Sequence, residues 1–163
     1  MTDLNKLGDF ALRTAENNNS YVLQQHSPDN FRLTESNGAT HVQAGGHRYY
    51  SGDGGKDFLD YGVTTPGSAA SGVEMAASAW QGILGNGAGF AGPCTVAGRA
   101  GNSFRLEGVT ATACVDTATG ALLSGDLKGN GYEDTFQVTG VGDVPPIPAP
   151  SGAVPHQPSG MNY

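Results

Sequence analysis

Positive charge is the scarcest property of this sequence. Its 163 residues include 8 lysines and arginines against 15 aspartates and glutamates, which gives a formal net charge of −7. A chain with so few basic residues lacks the surface that neutralises phosphates, so we expect neither a nucleic-acid partner nor a basic membrane-surface patch. Long apolar runs are also missing, and no charged-then-apolar start follows Met1. The sequence therefore predicts neither a transmembrane helix nor a signal peptide.

Cysteine is nearly as scarce, and its two occurrences are Cys94 and Cys114. Neither lies in a Cys-x-x-Cys motif or a Cys/His cluster, and both flank turn signals, so the sequence predicts a structural disulfide. Two unrelated buried thiols are the alternative. A disulfide favours an exported protein, located in the cell envelope, in the periplasm or outside the cell, and we then expect a leader to have been removed ahead of Met1.

Glycine and proline are abundant where charge is not. The 26 glycines and 9 prolines, with only 14% charged residues, favour short strands and many turns over long helices. The length allows a single domain, predicted over residues 1–144, followed by a tail over residues 145–163. Prolines recur in this tail from Pro145 to Pro158. They predict an extended, largely unpaired and partly disordered segment.

A short N-terminal helix is predicted from Thr2 to about Arg13, because Leu4, Leu7 and Ala11 share one helical face. The alternative is that residues 10–13 pair with the following strand. Alternating apolar residues predict strands over residues 21–26, 31–34, 40–44 and 48–51 in a first meander, and over 94–96, 104–106, 110–115, 121–127 and 132–138 in a second.

A central helix is predicted over residues 71–84, between the two meanders. Ser71 and Glu74 have capping-box spacing, and Gly85 stands where a glycine closes a helix. Trp80 is expected at the interface between this helix and the sheet. The predicted fold class is therefore α+β, with a curved antiparallel sheet packed on a short N-terminal helix and one central helix.

Chemistry-bearing residues do not assemble into a catalytic pattern. The sequence has no nucleophile elbow, and its four histidines have no carboxylate or cysteine beside them at ligand spacing. Residues 125–131 with Asp134 resemble a calcium loop, but Lys128 stands where an oxygen ligand is needed, so we interpret them as a hairpin. Residues 85–89 follow a helix rather than opening one, which argues against a phosphate cradle. We therefore expect no enzyme, no metal and no cofactor.

Three short motifs resemble those of the LolA-like and LprG-like envelope lipoprotein carriers. Residues 27–33 resemble the family's Pro-x-x-Phe-Arg strand, residues 46–50 its Gly-x-x-x-Tyr strand, and residues 114–122 its Val-Asp-x-x-Thr-Gly-Leu hairpin. The resemblance covers roughly residues 3–150, and the chain departs from it in having no lipidation cysteine near Met1. It implies a curved sheet that folds over helices as an unclosed barrel and holds acyl chains on its apolar concave face.

This resemblance implies a non-enzymatic carrier for a lipid, a lipoprotein acyl chain or another apolar ligand held between sheet and helix. Such a ligand is bound mainly by burial and needs few polar contacts. The alternative is that the inward apolar side chains simply pack together. The residues predicted to line or close the cavity are Phe31, Leu33, Val42, Tyr50, Trp80, Phe104, Leu106, Phe136 and Val138.

Other features resemble the globular part of a type IV pilin, which would make the protein a self-assembling filament subunit. They are the amphipathic start with residues 17–21, and the late residues 125–127 and 134–136. A pilin begins with an apolar main helix, whereas the strongest helix predicted here covers residues 71–84. We therefore favour the carrier and keep the filament subunit as the alternative.

Overall fold

The computed structural model describes residues 3–64 and 80–157, which form one twelve-stranded sheet. Every pair of neighbouring strands is antiparallel except the parallel pair β12–β6 at one edge. The strand order is β12-β6-β5-β4-β3-β2-β1-β11-β10-β9-β8-β7. The strands are β1 (Phe10–Glu16), β2 (Asn19–Ser27), β3 (Asn30–Glu35), β4 (Thr40–Ala44), β5 (His47–Ser51), β6 (Leu59–Val63), β7 (Gly89–Val96), β8 (Arg99–Leu106), β9 (Thr110–Asp116), β10 (Leu122–Gly129), β11 (Tyr132–Val141) and β12 (Val154–Pro155).

Two meanders make up this sheet. Strands β1 to β6 form the first and β7 to β11 the second, and the two meet where β1 pairs with β11. Tight turns join successive strands, as at Gly45 and Gly46, whose φ angles of 60° and 78° suit glycine. The sheet stays open, with β7 and β12 as its edges. The predicted fold class, a curved antiparallel sheet that forms an unclosed barrel with few helices, is confirmed.

The predicted N-terminal helix is wrong beyond its first turn. A 3-10 turn spans Leu4–Leu7, and Gly8, with a φ of 80°, ends it. The chain from Phe10–Glu16 then forms β1, which pairs with β2 on one side and β11 on the other. Leu12 and Thr14 are buried together with Phe10 in a period-two pattern. Burial of this pattern between two strands outweighs the helical spacing of the leucines.

The predicted central helix is described only at its end. Residues 80–85 are helical and are named α1, whereas residues 71–79 lie outside the described residues. The left-handed residue that follows the helix is Gly87, with a φ of 94°, two positions after the predicted Gly85. No helix within the described ranges is long and apolar enough to cross a membrane.

The pleat gives the sheet two faces, because registered partners on neighbouring strands point the same way. The helix face carries the 3-10 turn and α1, and it holds most of the main core. The opposite face carries the disulfide and is named the disulfide face. The main core includes the buried side chains of Leu4, Leu7, Phe10, Leu12, Leu23, Phe31, Trp80, Leu122, Leu123, Phe136 and Val138.

The chain after β11 crosses the first meander on its disulfide face. His26 Nδ1 lies 2.8 Å from the carbonyl oxygen of Val144. The Asn30 side chain accepts a hydrogen bond from the N–H of Ile147 at 2.7 Å and donates one to its carbonyl oxygen at 2.9 Å. Ile147 and Ala153 pack in a second, smaller cluster with Val42, Ala44, Tyr49 and Phe58.

Strand β12 completes this crossing by pairing with β6. The N–H of Val154 donates to the carbonyl of Phe58 at 3.0 Å, and the N–H of His156 donates to that of Asp60 at 2.8 Å. The expectation of a largely unpaired tail is therefore wrong at Ile147 and at β12, because Asn30 and the edge of β6 supply the partners that prolines cannot supply to one another. Residues 158–163 lie outside the described residues, and the domain boundary at 144 stays a prediction.

Candidate functional site

An apolar surface lies on the helix face of the second meander. Cross-strand register places one row of apolar side chains and one glycine across β11, β10, β9, β8 and β7, and a second row beside it across β10, β9 and β8. Exposure rises along the first row from 1% at Phe136 to 67% at Phe90. We name this surface the apolar shelf, which consists of Phe136, Gly125, Ala113, Phe104 and Phe90 in the first row and Leu127, Ala111 and Leu106 in the second.

Trp80 covers the buried end of the apolar shelf. Its indole ring lies against β10 at Gly125, where an added Cβ would come within 2.6 Å of the ring atom Cε2. Only glycine allows so close an approach of a ring to a strand. Trp80 has no exposed surface, and among residues 3–64 and 80–157 its Nε1–H has no hydrogen-bond partner. The covered end of the shelf therefore holds a hydrogen-bond donor that none of the described residues satisfies.

Phe90 and Phe104 form the open end of the apolar shelf. Their ring centroids are 6.3 Å apart and their planes meet at 75°, an edge-to-face arrangement that holds the two rings in place. Strand β7 is the edge of the sheet, so no further strand of the described part of the chain covers Phe90. Phe90 and the partly exposed Phe104 therefore extend the buried apolar row to the surface of the protein.

Five of the nine predicted cavity residues lie on or beside the apolar shelf. Phe104, Leu106 and Phe136 belong to it, and Trp80 covers it. Val138 lies in the adjoining core, two residues along β11 from Phe136. Sequence analysis assigned neither a strand nor a cavity role to Phe90, because its predicted strand began only at residue 94. The available signal was the apolar partner that Phe104 provides across the turn.

The other four predicted cavity residues lie elsewhere. Phe31 and Leu33 pack in the main core at β3. Tyr50 lies on the helix face of the first meander, with its ring centroid 5.0 Å from that of His41. Val42 points to the disulfide face, where it packs in the smaller cluster beneath the C-terminal segment. Six of the nine, Phe31, Leu33, Trp80, Phe104, Phe136 and Val138, therefore belong to or pack against the main core, and the cavity itself stays a prediction.

The disulfide predicted between Cys94 and Cys114 is present and joins β7 to β9, crossing over β8. Two strand spacings in a flat sheet amount to roughly 9–10 Å, whereas the two Cα atoms are 6.1 Å apart. The sheet therefore curls toward the disulfide face at β8. Gly101 lies beneath the bond, and an added Cβ there would come 2.7 Å from the Sγ of Cys114 and 3.0 Å from that of Cys94. This curl requires glycine at position 101.

Asp116 holds the turn between β9 and β10. Arg99 donates to its two carboxylate oxygens at 3.0 and 2.7 Å, and both the N–H and the hydroxyl of Thr119 donate to it as well. The hydrogen bond from Arg99, followed by those from Thr119, lowers the pKa of Asp116 to about 2 despite its burial. This arrangement fixes the hairpin, and both charges satisfy each other.

Asp134 lies at the far end of β11, opposite Glu16 on β1. Burial raises the pKa of Asp134, and the negative charge of Glu16 raises it further. The hydroxyl of Tyr132 is 3.3 Å from Oε1 of Glu16 and 3.5 Å from Oδ2 of Asp134. The two strand ends therefore bring two carboxyl groups together, and the charged form of Asp134 is disfavoured there.

Histidine and carboxylate pairs occur in the first meander. His47 Nδ1 lies 3.0 Å from Oδ2 of Asp60, and His41 Nε2 lies 3.3 Å from Oε1 of Glu35. In residues 3–64 and 80–157, no group of three or more His, Cys, Asp or Glu side chains is placed to hold a metal ion.

Comparison with known proteins gives likenesses of structure only. No protein-family model matches the chain, and no curated protein matches it. Among solved structures, the chain is similar to LprF from Mycobacterium bovis, with a TM-score of 0.49 and 10% identity over 89% of this chain and 90% of that one. It is also similar to MucB, with a TM-score of 0.40 and 18% identity over 90% of this chain and 58% of MucB. Because both TM-scores lie below 0.5, neither likeness carries weight for ligand or activity.

Proposed function

We propose that this protein is a non-enzymatic carrier for a lipid or a lipoprotein acyl chain, which lies along the apolar shelf. The observation that carries the proposal is the continuous apolar row from the buried Phe136 to the exposed Phe90, covered at one end by Trp80. An acyl chain gains about 0.8 kcal/mol for each methylene group that it buries. A row with one open end suits such a chain.

The unpartnered Nε1–H of Trp80 supports an ester-linked or carboxyl-bearing chain over a plain hydrocarbon. A buried donor without a partner costs about 1–3 kcal/mol, and a ligand carbonyl oxygen is an acceptor that would remove this cost. The small residues Gly125 and Ala113 let the indole ring lie directly against the strands at the buried end of the shelf. A carbonyl group at the covered end and a methylene chain toward Phe90 is therefore the orientation that we propose.

An extracytoplasmic location, in the cell envelope, the periplasm or outside the cell, belongs to the same proposal. The disulfide between Cys94 and Cys114 supports it, because structural disulfides form and persist in oxidising compartments. The resemblance of the sequence to LolA-like and LprG-like carriers agrees with such a location.

Native mass spectrometry after gentle purification, followed by organic extraction of the bound fraction, tests the proposal. We expect a co-purifying molecule with at least one acyl chain. A protein that carries no ligand and assembles into filaments would contradict the carrier and favour the pilin-like alternative.

A matched pair of variants tests the proposed location of the ligand. Phe90→Ser removes the open end of the apolar shelf, whereas Tyr61→Ser removes another exposed aromatic residue, 48% exposed, from the first meander. After removal of bound lipid, we expect Phe90→Ser to raise the dissociation constant for 1,2-dioctanoylglycerol at least fivefold and Tyr61→Ser to leave it unchanged. Equal effects in the two variants would place the ligand elsewhere.

A further inference from the structure

A polar cleft lies on the disulfide face of the second meander, where the side chains of Arg13, Ser124 and Asp126 point away from the apolar shelf. The shelf residues Ala113, Gly125 and Phe136 also border it. Its volume is about 450 Å³, within the range of small-molecule binding sites. Thr95 and Val96 of the edge strand β7 form one wall. The polar side chains on its floor include Arg13, Ser103, Thr112, Ser124, Asp126 and Gln137.

Register explains how these polar residues come together. Arg13 on β1 pairs with Gln137 on β11, which pairs with Ser124 on β10, so the three form one row across the sheet. Asp126 is two residues further along β10 and pairs with Thr112 on β9. All five therefore point to the same face. From strand geometry, the Cα atoms of Arg13 and Asp126 are roughly 12 Å apart, across two strand spacings and two residues.

The hydrogen-bonding capacity of this floor is unused. Within the described part of the chain, none of the side chains of Arg13, Gln137, Ser124, Asp126 and Thr112 takes part in a hydrogen bond or an ion pair with another protein group. An arginine and an aspartate elsewhere on the same meander, Arg99 and Asp116, satisfy each other at 2.7 Å. The cleft thus gathers donors and acceptors that the fold does not pair.

The chemistry of the floor selects the class of ligand. One cation and one anion leave no net charge, so a ligand of either sign meets one repulsive group. A neutral ligand with many hydroxyl groups can accept from Arg13, donate to Asp126 and do both with Ser124 and Gln137. We propose that this cleft binds a glycan, with a disaccharide unit as the part that spans the floor.

The disulfide maintains the cleft in this proposal. It draws β7 toward β9 across Gly101, so that Thr95 and Val96 rise as a wall over the disulfide face. Without the bond, the sheet at β8 can relax toward the flat spacing of strands. Glycan binding should therefore weaken on reduction.

Saturation-transfer NMR with maltose, cellobiose and N,N′-diacetylchitobiose tests the proposal on the intact, oxidised protein. We expect at least one of the three to bind with a millimolar or lower dissociation constant. Asp126→Asn and Arg13→Gln should each raise that constant at least fivefold. The matched controls Asp29→Asn and Arg48→Gln change exposed residues outside the cleft and should leave it unchanged.

Absence of binding by all three disaccharides would overturn the proposal, as would binding that neither cleft variant weakens. Thermal unfolding of each variant at an unchanged temperature confirms that it is folded, which is expected because Arg13 is exposed and Asp126 is half-buried. The glycan site and the acyl site lie on opposite faces of the sheet. Failure of the disaccharides to bind therefore leaves the acyl site to be tested with its own lipid. Failure of the lipid to bind likewise leaves the glycan site to be tested with the disaccharides.

Discussion

The two meanders are covered on the disulfide face in different ways. In the second, a covalent bond crosses β8 and curls the sheet over Gly101. In the first, the C-terminal segment crosses the same face and is held by Asn30 and by the edge of β6. The covalent closure leaves an open polar cleft beneath it, whereas the segment fills its own space with Ile147 and Ala153. A surface available for a ligand survives where a short cross-link replaces a covering segment.

Removal of the disulfide should lower the free energy of unfolding more than any other change proposed here. Closure of a loop with a sequence separation of 20 is worth about 3 kcal/mol in the chain-entropy model. We expect the double variant Cys94→Ser and Cys114→Ser to lose about that much free energy of unfolding in urea titration. Amide exchange should accelerate in β7 and β8 more than at β12. Equal acceleration at both edges would contradict a closure confined to the second meander.

Substitution of Gly101 should follow in size. An added methyl group meets both sulfur atoms and the carbonyl oxygen of Val115, so Gly101→Ala should cost about 2 kcal/mol in free energy of unfolding. Gly129 is the matched control, because it lies in β10 with no heavy atom within 4 Å of an added Cβ. Both variants are measured by thermal unfolding, in which Gly129→Ala should be tolerated. A harmless Gly101→Ala would show that the bond does not require the close approach over β8.

The pH dependence of stability tests the ion pair between Arg99 and Asp116, which lies in the second meander. Because the pKa of Asp116 is about 2 in the folded protein against an ordinary 3.8, its stabilisation is fully present above pH 4. It is lost as the pH falls through about 2, and the loss amounts to about 2 kcal/mol. Asp116→Asn should flatten urea midpoints measured between pH 5 and pH 2. An unchanged pH profile in this variant would contradict the role of the Arg99 pair.

The smallest effect is expected from the contact that holds the C-terminal segment. Asn30→Ala removes both hydrogen bonds to Ile147 and should cost about 1 kcal/mol, confined to the first meander. Hydrogen exchange should accelerate at the amides of Val154 and His156, which bond to the β6 region, and stay unchanged in β9. Acceleration in β9 would mean that the two closures are coupled.

Local sequence signals predict most of the strands and turns of this fold, but they do not predict which distant strands pair. Alternating apolar residues and paired glycines such as Gly45 and Gly46 predict the hairpins, because strand and turn requirements are both local. The N-terminal segment is ambiguous in sequence, since its leucines fit a helix while Phe10 and Leu12 fit a strand. Only the partner strands β2 and β11 decide between them.

The candidate sites divide in the same way. Trp80 and Phe104 are recognisable from sequence as inward apolar residues, but the row that joins them depends on register across five strands. The polar cleft is harder to predict from the sequence. Arg13 and Asp126 are 113 positions apart by residue number, and each alone is typical of a solvated face. Their proximity comes from the β1–β11 pairing and the curl at the disulfide.

The single tryptophan of the chain reports directly on whether an acyl chain lies along the apolar shelf beneath Trp80. Brominated acyl lipids quench indole fluorescence only in contact with the ring. An acyl ester brominated along its chain should quench Trp80 saturably, and Phe90→Ser should shift the titration to higher lipid concentration. Saturable binding of the same lipid without quenching of Trp80 would show that the acyl chain does not lie beneath this ring.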